Sequence, residues 1–233
     1  MIPTAAVPGV LARAQECAYP ALRAAVARLS PEVRRPVEYH LGWIDADGQP
    51  VPGRGGKGVR VALALLSAEA VGGKAEIGVP AAVAVELVHN FSLLHDDIID
   101  GDRERRHRAT VWSLWGVGQA IIAGDALLSL AHEVVSAAPS LAAFEAARRL
   151  AAATSAMISG QAQDMAAEGC ARPSLAECEA MERAKTGALL GAAASLGAVL
   201  AEAPAGVVDR LERFGVQLGL AFQATDDLLG IWG

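Results

Sequence analysis

Hydrophobic positions recur at three- and four-residue spacing along most of the chain, and turn residues break the pattern at intervals. That is the period of an amphipathic helix. Helices are expected over residues 5–28, about 58–72, 80–99, 117–136, 140–168, 173–201 and 205–230. Ser30-Pro31-Glu32 sets a proline at the first helical position behind a serine cap. Pro173-Ser174-Leu175-Ala176-Glu177 carries a capping box. Residues 44–58 hold Gly48, Pro50, Pro52, Gly53, Arg54, Gly55, Gly56, Lys57 and Gly58 and are expected as loop. The basic run 101–108 reads as a loop or a frayed helix end. No alternating strand pattern competes. Short connections between eight or so helices predict an all-α fold, a bundle. No linker divides the chain, so residues 1–233 read as a single domain.

Composition supports helix. Hydrophobic residues make up 53% with alanine prominent, and aromatics only 4%. The net charge of −6 argues against a nucleic-acid binder. Cys17, Cys170 and Cys178 have neither disulfide nor metal spacing, which makes a reduced, cytoplasmic setting the expectation. The N-terminus lacks a signal pattern. No apolar stretch reaches the roughly 20 residues of a membrane span, residues 187–201 coming nearest.

Chemistry enters at Asp96-Asp97-Ile98-Ile99-Asp100. On a helix Asp96 and Asp100 share one face, and stacked carboxylates repel unless a cation sits between them. Hard divalent ions favour such oxygens. A solvated acidic helix end is the other reading, although the apolar stretch from Leu87 to Leu94 argues that this helix is buried and that its carboxylates need partners. Asp226 and Asp227 repeat the theme at the end of a second apolar helix. Two acidic pairs facing each other across a bundle would form a metal site. Lys57 and Arg60 flank a glycine-rich helix start, an arrangement suited to a diphosphate. It lacks the full P-loop spacing. Arg105, Arg106 and Arg108 follow the first cluster closely.

These segments, in the order GGKGVR, HDDIIDGDRERRHRATVW, AGDALLS, GQAQDM, AKTGALL and GLAFQATDDLLG, closely resemble the trans-isoprenyl diphosphate synthases. The resemblance runs from about residue 53 onward. It implies a helical bundle around a central cavity and condensation of isopentenyl diphosphate with an allylic diphosphate (dimethylallyl, geranyl or farnesyl). The step would run through metal-assisted ionisation to an allylic carbocation. It implies Asp96, Asp97 and Asp100 as ligands of magnesium holding the allylic diphosphate. It further implies Asp226, with Asp227 beside it, on a third magnesium, and Arg105 on that diphosphate. Lys57, Arg60, His89 and Arg106 match the isopentenyl diphosphate pocket, and Lys185, Thr186 and Gln223 match groups near the cation. Gln161 and Asp164 match a segment that lines the same cavity, which implies Asp164 as a further metal ligand. Phe91, five positions before Asp96, matches the cavity floor. An aromatic there, with no insertion in the aspartate motif, implies geranylgeranyl diphosphate as product, with farnesyl diphosphate second. The family is also dimeric, so a homodimer is expected.

Three features depart from the family pattern. Gly58 stands where arginine is usual. The second aspartate motif lacks its final aspartate. The chain stops at Gly233, where the family continues for roughly a hundred residues, so the C-terminal helices are expected to be missing. Two other readings share some of these features. A class I terpene cyclase has no second diphosphate to hold, which the Lys57, Arg60, His89 and Arg106 set argues against. A non-catalytic partner subunit would tend to lose the aspartates that this chain keeps.

Overall fold

The computed structural model describes residues 9–51, 56–167 and 174–232. The expected helix start before residue 9, Pro52, Gly53, Arg54 and Gly55, the helix end at 168, Cys170 and Pro173 lie outside the described residues. The helices are α1 (Gly9–Val26), α2 (Pro31–His40), α3 (Val59–Ala70), α4 (Val79–Ile99), α5 (Val111–Trp115), α6 (Val117–Ser136), α7 (Ala143–Ala167), α8 (Leu175–Glu182), α9 (Ala188–Leu200) and α10 (Ala205–Trp232). The all-α expectation holds, and α8 starts on the predicted capping box, with Ser174 and Glu177 satisfying each other's backbone N–H.

Two helices make the centre. α9 carries no charge, and every residue from Leu189 to Leu200 is buried. A helix apolar all round has no solvent face to present. It packs against α3, α7 and α10, while α4 packs against α3, α6 and α9. Small residues let the backbones approach. A Cβ on Gly197 would run into the Ala64 carbonyl and lie 2.5 Å from Ser67 Oγ. The core is filled mainly by Leu87, Leu94, Leu127, Leu150, Leu189 and Leu196. Full burial of each leucine is worth about 1.5–3 kcal/mol.

The structure corrects two expectations. The stretch 101–108 is no loop: Gly101, at φ +69°, ends α4, and Glu104–Arg105 (β1) pairs with Arg108–Ala109 (β2). Arg106 and His107 make the turn in left-handed backbone without the usual asparagine or glycine. The added short helix α5 follows at once. The expected helix 173–201 is interrupted by a π-helical turn, Arg183–Gly187, that separates α8 from α9. Among the described residues one helical stretch, Ala75–Ile99, is long and apolar enough by length and composition to cross a membrane, but it carries Glu76, Glu86, Asp96 and Asp97 and most of it is buried inside this fold.

Candidate active site

The bundle encloses a cavity of about 640 Å³ between α3, α4, α6, α7, the π turn and α10. Small-molecule sites span about 300–1,000 Å³. Of the predicted site residues, Arg60, His89, Phe91, Asp96, Gln161, Lys185, Thr186, Gln223 and Asp226 share its lining. Five residues separate Phe91 from Asp96, which is about 7.5 Å along the helix axis. The aromatic residue therefore stands well over one turn back along α4 from the first carboxylate.

The α7–π-turn contact positions the central polar group. A Cβ on Gly160 would lie 2.8 Å from Lys185 Cα, so α7 and the π turn are in backbone contact. This turns Lys185 Nζ onto Asp164 Oδ2 at 2.5 Å. Next to it, Thr186 Oγ1 donates to Gln223 Oε1 at 3.0 Å, and Gln223 Nε2 donates to Asp227 Oδ1 at 2.9 Å. A chain of polar contacts thus joins the π turn to the second acidic pair. Glu182, beside Asp227, has its carboxyl pushed up, first by burial and then by the Asp227 charge.

The first acidic cluster divides in two. Asp96 faces the cavity, and its carboxyl is pushed up to about 6, chiefly by burial, with Lys185 opposing and Asp100 adding. Asp97, expected as a third ligand, points elsewhere. It is buried against the hairpin, where Arg105 Nε donates to Oδ1 at 2.5 Å and Oδ2 has no partner. Burial raises its carboxyl in spite of Arg105. The reason is geometric: neighbouring helical residues diverge by about 100°. Arg105 and Arg106 open onto a separate pocket of about 90 Å³ with Tyr39, His40 and Asp97. Arg108 holds that hairpin in place, donating to Tyr39 O at 3.0 Å and Ile44 O at 2.8 Å while lying over the Tyr39 ring. Asp100 is exposed at the end of α4, and Lys57 is exposed outside the cavity lining.

A carboxylate-rich site for a cation fits in part. Asp96 is desolvated and crowded by like charge, a situation that a divalent ion relieves. Asp226 lines the same cavity and Asp100 is one turn from Asp96. Asp97, Asp164 and Asp227 are taken up by Arg105, Lys185 and Gln223 in this conformation. Among the described residues no three acidic, histidine or cysteine side chains already converge as a metal cluster.

Part of the basic wall, Arg60 and His89, is shielded from solvent as well. Arg60 Nε is buried without a partner, and burial lowers its pKa while Glu86 opposes the shift. Burial also keeps His89 neutral, with Arg60 and Arg106 adding to the effect. Gly58 proves to be required by its place, since its φ is +72° and a Cβ would meet the Gln15 side chain at 2.9 Å. Sequence reasoning passed over Glu86, His95, Asp125, Leu128 and Met157. Their nearness to the motifs was visible, but that α4, α6 and α7 turn them together was not.

The family model described as Polyprenyl synthetase matches residues 43–233. The chain belongs to this family. It is 50% identical over 224 residues to the (2E,6E)-farnesyl diphosphate synthase of Mycobacterium tuberculosis, covering 96% of this chain and 62% of that protein. It is 43% identical to the geranylgeranyl diphosphate synthase of the same organism, covering 96% and 64%. A crystal structure of polyprenyl synthetase from Streptomyces coelicolor superposes with TM-score 0.94 at 57% identity, over 97% of this chain and 67% of that one. The chain thus spans about three fifths of the length of these two curated relatives.

Proposed function

We propose that this polyprenyl synthetase chain carries the active centre of a trans-prenyltransferase that joins isopentenyl diphosphate to an allylic diphosphate. The observation that supports it best is one largely apolar cavity lined at once by Asp96 and Asp226, by Arg60 and His89, and by Phe91 more than one helical turn along α4 from Asp96. Two anionic groups and a hydrocarbon tail need that combination, and a carbocation needs its dryness.

Asp96, Asp100 and Asp226 would hold magnesium, with Asp97 and Asp227 joining after rearrangement. The ions would supply charge neutralisation for the leaving diphosphate. The protein's own groups do the rest. Arg105 and Lys185 lie beside the acidic cluster to hold the allylic diphosphate. Arg60, Lys57, His89 and Arg106 take the second diphosphate. Thr186 and Gln223 present oxygen atoms toward developing positive charge, and the apolar lining excludes water.

Phe91 favours geranylgeranyl diphosphate as product. The farnesyl reading has its own support in the 50% identity to a farnesyl diphosphate synthase. Exposed Leu114, Val117, Ile121 and Ile122 on α5 and α6 are consistent with a homodimer. The test is elongation. The protein is incubated with magnesium, isopentenyl diphosphate and the C5, C10 or C15 allylic diphosphate, and product length is measured. A C20 product is expected. A product that stops at C15 supports the farnesyl reading, and no elongation refutes prenyl transfer.

A further inference from the structure

We propose that His95 and Gly124 form a positioning wedge beside Phe91 that sets how deep a prenyl chain reaches. The inference rests on the prenyl-transfer reading of the cavity and adds to it the part that holds the floor in place.

Phe91 is buried, and His95 is one of the groups it packs on. It stands on α4 with His95 one turn further on, and such pairs share a helix face. Their rings meet edge to face, with centroids 4.8 Å apart. The imidazole is in turn fixed from α6. Its Nε2 donates to the Ile121 carbonyl at 3.3 Å and lies 3.7 Å from Asp125 Oδ1. Behind the ring is Gly124, where a Cβ would lie 2.5 Å from His95 Cδ2 and closer still to Nε2. The imidazole occupies the space a side chain on α6 would fill. Phe91, His95 and Asp125 all line the 640 Å³ cavity. Phe91 thus packs edge to face on an imidazole that α6 holds in place, and both rings face the cavity.

The α6 backbone at Gly124 is buried and packed, so a methyl group there cannot be accommodated by α6. It must push the imidazole, and Phe91 with it, toward the cavity. Gly124→Ala is expected to shorten the product. His95→Ala removes the edge-to-face contact that limits Phe91 on the α6 side and is expected to lengthen it. A single methylene in an apolar pocket discriminates by about 10–200-fold, so the ratio of the longest product to the next shorter one should change at least about tenfold in each variant, in opposite directions.

The experiment compares product ratios of the protein with those of Gly124→Ala, His95→Ala and the double variant. Gly118→Ala, on the same helix with nothing within 4 Å of the new Cβ, is the control. The double variant restores the space and should match His95→Ala, a non-additivity that independent sites do not give. It also covers the case in which Gly124→Ala does not fold. Opposite shifts in the two single variants support the wedge. Ratios equal to those of the parent in folded Gly124→Ala, or in the double variant, overturn it. If the parent protein elongates nothing, prenyl transfer fails and the wedge is judged separately. Crystal structures of the parent and Gly124→Ala then decide, a displaced Phe91 ring supporting it and an unmoved one refuting it.

Discussion

The chain ends two of its helices on nearly the same acidic pair, and the two ends differ in almost everything else. At the end of α4, Asp97 is 1% exposed and Leu94 behind it is fully enclosed. Over the last turns of α10, Leu228 is 55% and Leu229 61% exposed, and Asp226 and Asp227 are exposed with them. The cause is packing. α4 is covered by α3, α6 and α9, with Arg105 of the hairpin on Asp97, whereas α10 packs on α9, the π turn and α8. A motif specifies residue types; neighbouring elements decide how far those residues are desolvated. Desolvation in turn decides how strongly a carboxylate responds to a cation. The α4 end is therefore expected to respond more strongly than the α10 end to any change in charge.

The largest expected effect tests this difference directly. Asp96→Asn should lower turnover about 10³-fold or more, because it removes charge at a desolvated position facing the leaving group. Asp227→Asn should cost less than about tenfold, since its oxygen mainly receives the Gln223 amide. Steady-state elongation rates decide. Similar losses in both would mean that the two ends act as equals, and the comparison would fall. The next effect concerns stability. Gly197→Ala forces a methyl into the Ala64 carbonyl where α9 meets α3, and should cost about 3 kcal/mol in urea unfolding. A cost under about 1 kcal/mol would show that the centre supporting α4 is looser than its close contacts imply.

Much of this architecture was legible before any coordinates. The helical period located α4, α6, α7 and α10 to within a few residues, and the Ser174–Glu177 capping box marked the start of α8. The hairpin was not legible. Two-residue strands are too short for a period-2 pattern, and Arg106 and His107 adopt left-handed backbone without a glycine to announce it. The π turn hides inside an unbroken helical pattern, and the close contact it makes with Gly160 comes from another helix. The site followed the same rule. Residue types were readable, but the turn of Asp97 toward Arg105 and of Asp164 toward Lys185 depends on tertiary neighbours. The helix most like a membrane span is α4, whose apolar length instead serves the core.

His40 gives a smaller test of how dry the α4 side is. Its Nε2 is buried without a hydrogen-bond partner, and burial, assisted by Arg105 and Arg106, lowers its pKa from 6.5 to about 3. A histidine held neutral in the folded state contributes its full stability above pH 6.5. That contribution fades as pH falls from 6.5 toward 3, because the unfolded chain takes up a proton that the folded chain refuses. Between pH 7 and 5.5 the loss should be about 1 kcal/mol. Urea unfolding at the two pH values measures it, and His40→Gln should remove about that much of the pH dependence. An unchanged pH dependence in His40→Gln would mean that solvent reaches the ring.

The smallest effect should carry the opposite sign, and it comes from the exposed end. Gly230 lies within α10, has no atom within 4 Å of where a Cβ would stand, and keeps ordinary helical backbone. Glycine in a helix interior costs about 0.8–1.0 kcal/mol relative to alanine, through backbone freedom lost on folding. Gly230→Ala should therefore stabilise α10 by up to about 1 kcal/mol, less if the last turns fray in both proteins. Amide hydrogen exchange along residues 222–232 reads this locally, where a global unfolding curve would dilute it. Slower exchange there, with no change in α4, fits an end governed by helix propensity alone. Loss of protection would mean that position 230 makes a close contact after all, and the two acidic ends would then differ less in their packing than the exposure of Leu228 and Leu229 indicates.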